Sequence, residues 1–108
     1  MSMRYEMDYD WLANDISDSA TVRLTVTGPH ARSAVMEWLE DLPADALGTR
    51  GRGGWMVKEV SAAPEEAVLD LTSGGQDVAD GIEAATTEAH DVLSALGCEL
   101  EWEQRPRG

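Results

Sequence analysis

Six segments with regularly spaced apolar residues follow one another in this chain, and their order limits the folds open to it more than any other feature. Over residues 20–27, Val22, Leu24 and Val26 alternate with Arg23 and Thr25, the period of a half-buried strand. Gly28-Pro29 then opens a helix with Ala31, Ala34, Val35, Trp38, Leu39 and Leu42 on one stripe, and Pro43 closes it. Residues 55–60 and 67–72 read as two strands joined across 61–66, the second turning Ala67, Leu69 and Leu71 inward. Ser73-Gly74-Gly75 leads into a long helix in which Val78, Ile82, Ala85, Ala89, Val92, Leu93 and Leu96 recur at three and four residues, with Gly97 as its C-terminal cap. In the last strand, residues 98–103, Cys98, Leu100 and Trp102 alternate with Glu99, Glu101 and Glu103.

The order is β-α-β-β-α-β. With right-handed crossovers, the two halves interlock into an α+β fold of ferredoxin-like form: a four-stranded antiparallel sheet with two helices on one face. The other face is left open, carrying Arg23, Thr25, Met56, Lys58, Val60, Val68 and Asp70 beside the three glutamates of the last strand. At 108 residues the chain accommodates one hydrophobic core, so residues 19–104 are expected to form one domain, followed by a short basic tail at 105–108. Residues 1–18 lie outside the repeat, yet Tyr5, Met7, Tyr9 and Trp11 alternate with Glu6, Asp8 and Asp10. That period predicts an extra N-terminal strand, paired with an edge of its own sheet or with a second copy; an acidic, aromatic tail that docks on a partner is the alternative. Residues 44–54, ending Arg50-Gly51-Arg52-Gly53-Gly54, read as a flexible loop.

Hydrophobic residues make up 43% of the chain against 27% charged, which places it on the globular side despite its net charge. Phe is absent, so four Trp and five Met supply much of the large core volume. One cysteine, Cys98, cannot form an intrachain disulfide or a redox pair, and with two histidines it makes no metal-site spacing. No nucleotide fingerprint and no distinctive nucleophile or base constellation is present, so no catalytic, cofactor or metal residue is assigned. With no run of about 18 apolar residues and no signal-peptide core, the expected location is cytoplasmic.

Twenty-one acids against eight basic residues give a formal charge of -13, which opposes direct contact with nucleic acid or an anionic membrane. The imbalance is concentrated: between Lys58 and Arg105 stand twelve acids and no Lys or Arg. Asp77, Asp80, Glu83, Glu88 and Asp91 fall on the polar side of the long helix, where like charges at this spacing weaken a helix slightly. Glu99, Glu101 and Glu103 form a second stripe that Arg23 can meet across strands. General solubility or adaptation to high salt accounts for such acidity without a partner. The functional reading is that these eight residues bind a basic protein partner, one that handles nucleic acid, by imitating a phosphate backbone. In strand order and acidity the chain resembles small ferredoxin-like protein inhibitors that cap ribonucleases or antagonise nucleic-acid enzymes, which implies an inhibitory or immunity-type role. Two further readings stand beside it. One is a dimeric ferredoxin-like enzyme or ligand-binding domain with a pocket lined by Trp38, Trp55 and Trp102; the other is a salt-adapted structural subunit.

Overall fold

The computed structural model describes residues 4–13, 19–44, 49–74 and 78–105. The chain order is α1 (Tyr9–Ala13), β1 (Ser19–Thr27), α2 (Ala31–Asp41), β2 (Arg50–Arg52), β3 (Trp55–Ala63), β4 (Glu66–Gly74), α3 (Val78–Ala95) and β5 (Glu99–Gln104). The fold is α+β, an open five-stranded antiparallel sheet in the order β2-β3-β4-β1-β5. The expected sheet had four strands; β2 is the addition, at the edge beside β3.

The alternation in β1 is realised without a slip. Ala20, Val22, Leu24 and Val26 are buried, and opposite them in the ladder β4 contributes Ala67, Leu69, Leu71 and Ser73. Above that face α2 buries Ala31, Ala34, Val35 and Trp38, and α3 buries Ile82, Ala85, Ala89 and Leu93. One continuous core joins both helices to the same side of the sheet, a two-layer arrangement with one buried sheet face. Trp38 and Trp55 meet inside it with ring centroids 6.3 Å apart and near-parallel planes.

The end of α3 shows why the helix stops where it does. Gly97 takes φ 86°, its N–H bonds the Ser94 carbonyl at 3.0 Å, and the Cys98 N–H bonds the Leu93 carbonyl at 3.1 Å. This is the paired Schellman closure, and the accompanying apolar contact comes from Cys98 and Leu93, both in the core. At the other end, Gly81 lies against β4, where a Cβ would stand 2.8 Å from the Ser73 Cβ and 2.9 Å from the Gly54 carbonyl oxygen. The side-chain oxygen of Ser73 is wholly buried in this contact and has no hydrogen-bond partner among the described residues.

Three expectations are corrected. The segment with alternating aromatics is not a strand over Tyr5–Trp11: residues 4–8 join no ladder, and Tyr9–Ala13 is a short helix. The Asp8 carboxylate accepts the Trp11 backbone N–H at 3.0 Å, the geometry of an N-cap, and this local bond competes successfully with extended structure. Tyr5, Met7, Trp11 and Leu12 then pack on Ala20, Val22, Ile82 and Trp102, at the flank of α3 and β5. Nor are all of residues 44–54 a loop. Arg50–Arg52 pairs with Trp55–Val57 around a Gly53-Gly54 turn, and the Ala44 bridge to Arg50 extends the contact. The hairpin from β3 to β4 is also tighter than expected, with Pro64-Glu65 alone at the turn and a bulge between Glu59 and Ser61.

Candidate functional site

Burial of one side of α3 decides what its other side displays. With Ile82, Ala85, Ala89 and Leu93 against the sheet, Asp80, Glu83, Thr87 and Asp91 follow at three- and four-residue steps along the outer surface. Together with Ala84 and Glu88 they line an open depression on the helix. From Asp80 to Asp91 the ridge runs about 17 Å at 1.5 Å per residue. Asp80 sits in the first turn, where the helix dipole favours an anion, but the later acids gain nothing from it, and the last turn carries no cation.

Two arginines from elsewhere in the chain already reach this ridge. Arg52 Nε donates to Glu88 Oε1 at 2.7 Å, and Arg4 Nη2 donates to Asp91 Oδ1 at 3.0 Å. The Asp91 carboxyl is held below its ordinary value by the hydrogen bond with the neighbouring His90 ring and by Arg4. Asp80 and Glu83 are exposed and make no ion pair among the described residues.

Glu88 has a structural duty that its sequence gives no sign of. Its Oε2 accepts the indole N–H of the buried Trp38 at 2.9 Å, while Oε1 holds Arg52. One carboxylate thus satisfies the polar tip of the largest core side chain of α2 and ties the β2–β3 hairpin to α3.

Of the eight predicted partner-binding residues, Asp80, Glu83, Glu88 and Asp91 share the α3 surface, and Asp77 lies outside the described residues. Glu99, Glu101 and Glu103 alternate with Leu100 and Trp102 and project from the sheet face that no helix among the described residues covers, on the opposite side of the domain from the ridge. One flat partner surface cannot touch both stripes. Glu103 is bonded by Arg105 at 2.8 Å. Arg23 stands across from Glu103 in the ladder but directs its guanidinium at Asp70 on β4, with bonds of 2.9 and 3.1 Å. That hydrogen-bonded pairing raises the guanidinium's pKa further above its ordinary value.

Among the described residues, no apolar pocket opens between sheet and helices around the tryptophans. Trp38 and Trp55 are 2% and 5% exposed and fill the core, while Trp102 bridges its two clusters beside Tyr5. Cys98 is buried, which pushes its thiol pKa up and away from reactive thiolate. No helix among the described residues is long and apolar enough to cross a membrane. Neither a protein-family model, nor a curated protein, nor a solved structure matches the chain.

Proposed function

We propose that this chain is an acidic protein-binding module that inhibits or regulates a basic partner which itself handles nucleic acid, and that it engages that partner through the α3 ridge. The observation that carries the reading is the ridge's occupancy by its own arginines. Glu88 and Asp91 each hold a guanidinium, at 2.7 and 3.0 Å, while the exposed Asp80 and Glu83 on the same stripe make no ion pair among the described residues. A surface built to receive guanidinium groups is thus half filled from within, and a basic partner supplies the rest. Long-range attraction from a charge of -13 would speed the encounter, and the ridge would fix its orientation.

The order β3-β4-β1-β5, with both long helices on one side, supports reading the architecture as ferredoxin-like with β2 added at its edge. Such a scaffold leaves the outer surface of α3 exposed at Asp80, Glu83 and Asp91. The test is an affinity capture from lysate of the source organism with two baits, the natural chain and Asp80→Lys/Glu83→Lys, at about 0.1 M and about 0.5 M salt. The expected result is a basic nucleic-acid-handling protein held by the natural bait at low salt, released at high salt and ignored by the variant. A partner held equally by both baits would refute the assignment to the ridge.

A further inference from the structure

Four charged residues cross the uncovered sheet face in one row, and their order has a symmetry consequence. Lys58 on β3 is the ladder partner of Asp70 on β4, Asp70 of Arg23 on β1, and Arg23 of Glu103 on β5. The signs run plus, minus, plus, minus. The central pair is fixed by the double hydrogen bond from Arg23 to Asp70, and at the β5 end Glu103 is also held by Arg105 of its own chain.

We propose that this face binds a second copy of the chain, sheet against sheet, about a two-fold axis parallel to the strands and centred between β4 and β1. That operation reverses the row. Lys58 then faces the partner's Glu103, and Arg23 faces the partner's Asp70, so all four positions meet their opposite charge. A two-fold axis in the same plane but perpendicular to the strands would lay each charge on its own kind. The row therefore selects one of the two face-to-face arrangements, and aligned packing of twisted sheets accommodates it.

The neighbouring rows agree. Toward the β3–β4 turn, Thr25 faces the partner's Val68, and Glu101 meets the bulged Val60-Ser61 stretch. One row further, Glu66 faces Thr27 and Glu99 faces Ala63. In none of these rows does an acid oppose an acid. Met56 and Val60, both on this face, are 48% and 44% exposed in the single chain and would be covered. Four strands of up to nine residues offer a footprint of roughly 30 by 19 Å on each copy, so the pair would bury on the order of 1,100 Å², at the low end of specific interfaces. The dimer is accordingly reversible, with a dissociation constant in the micromolar range or weaker.

Salt separates this contact from the α3 ridge. Two copies at -13 repel one another at long range, so screening tightens the dimer, whereas it weakens a basic partner's hold on the ridge. The test is sedimentation equilibrium of the full chain up to about 0.5 mM at about 0.2 M salt, which covers the affinity expected of so small an interface. The natural chain is expected to show a reversible dimer. Lys58→Glu and Glu103→Lys, both at exposed positions, should each weaken it about tenfold or more, and Lys58→Glu/Glu103→Lys should restore it because the exchanged row is again complementary under the same axis. A chain that stays monomeric throughout, a dimer indifferent to the single changes, or a double variant no better than the singles would each overturn the proposal.

Discussion

Gly81→Ala is expected to destabilise the domain although it replaces the poorer helix former with the best one. Within a helix the substitution alone would gain about 1 kcal/mol. At this position the new methyl would enter a contact already closed: the Ser73 Cβ stands 2.8 Å and the Gly54 carbonyl 2.9 Å from where it must go, with the Ser73 hydroxyl nearer still. Two of those neighbours are anchored in β4 and one in the β2–β3 turn, so relief requires α3 to lift from the sheet. Overpacking of this kind costs about 1–3 kcal/mol, so after the propensity gain the net loss is up to about 2 kcal/mol. For a domain of this size, each kcal/mol lowers Tm by roughly 4–8 °C. Ser73→Ala removes a hydroxyl that has no partner among the described residues and should be neutral or stabilising by up to about 1 kcal/mol. In the double variant the nearest obstacle is gone, so part of the Gly81→Ala loss should return as a coupling of about 0.5–1.5 kcal/mol. Urea unfolding of all four proteins measures the cycle. A stabilised Gly81→Ala protein, or strictly additive effects, would refute the close-contact argument.

Glu88→Ala should destabilise by about 1–3 kcal/mol, because it strands the buried Trp38 N–H, whereas Glu88→Gln keeps an acceptor and loses only the Arg52 ion pair, under about 1 kcal/mol. Thermal denaturation with tryptophan fluorescence distinguishes the two, and equal losses would show that the indole bond does not matter. Asp8 is held below its ordinary pKa by the Trp11 backbone N–H and then by Gln104. Its contribution to docking the N-terminal segment is therefore complete above pH 3.8 and lost as pH falls through the lowered value. The Trp11 indole signal, followed by NMR, should shift in that acid window in the natural chain, while Asp8→Ala should show the undocked signal at neutral pH. A docked signal in the variant would mean that Trp11 and Leu12 hold the segment by packing alone.

The parts of the fold that could be read in the residues are those where one period runs unbroken and its ends carry a physical stop. In β1, Val22, Leu24 and Val26 alternate against polar neighbours and all three are buried. In α3 the apolar stripe ends at a glycine whose backbone conformation and two closing bonds terminate the helix. Where the reading failed, a local contact outweighed periodicity. Tyr5–Trp11 satisfies period two, but Asp8 can reach the Trp11 N–H, and a helix then turns Trp11 and Leu12 toward Val22 and Ile82. In the sequence Gly51 reads as part of a flexible loop; in the fold a Cβ there would fall within 2.8 Å of the Met56 Cα, so it is a glycine of close approach inside a strand pair. The acidic stripes were visible as charge runs, but whether they shared a surface depended on the pairing of β5 with β1 and the seating of α3, which are long-range outcomes. The tie from Glu88 to Trp38 joins residues fifty positions apart and leaves no local mark.

The claim that α3 itself, rather than overall negative charge, recognises the partner is tested most directly by two variants of identical net charge. Asp80→Lys/Glu83→Lys reverses the ridge, and Glu99→Lys/Glu101→Lys reverses the stripe on the opposite side of the domain. Titration calorimetry of the captured partner against each, at about 0.1 M salt, should show affinity reduced at least about tenfold by the first and less than about threefold by the second. Equal weakening by both would contradict the assignment and leave net charge as the whole of the attraction.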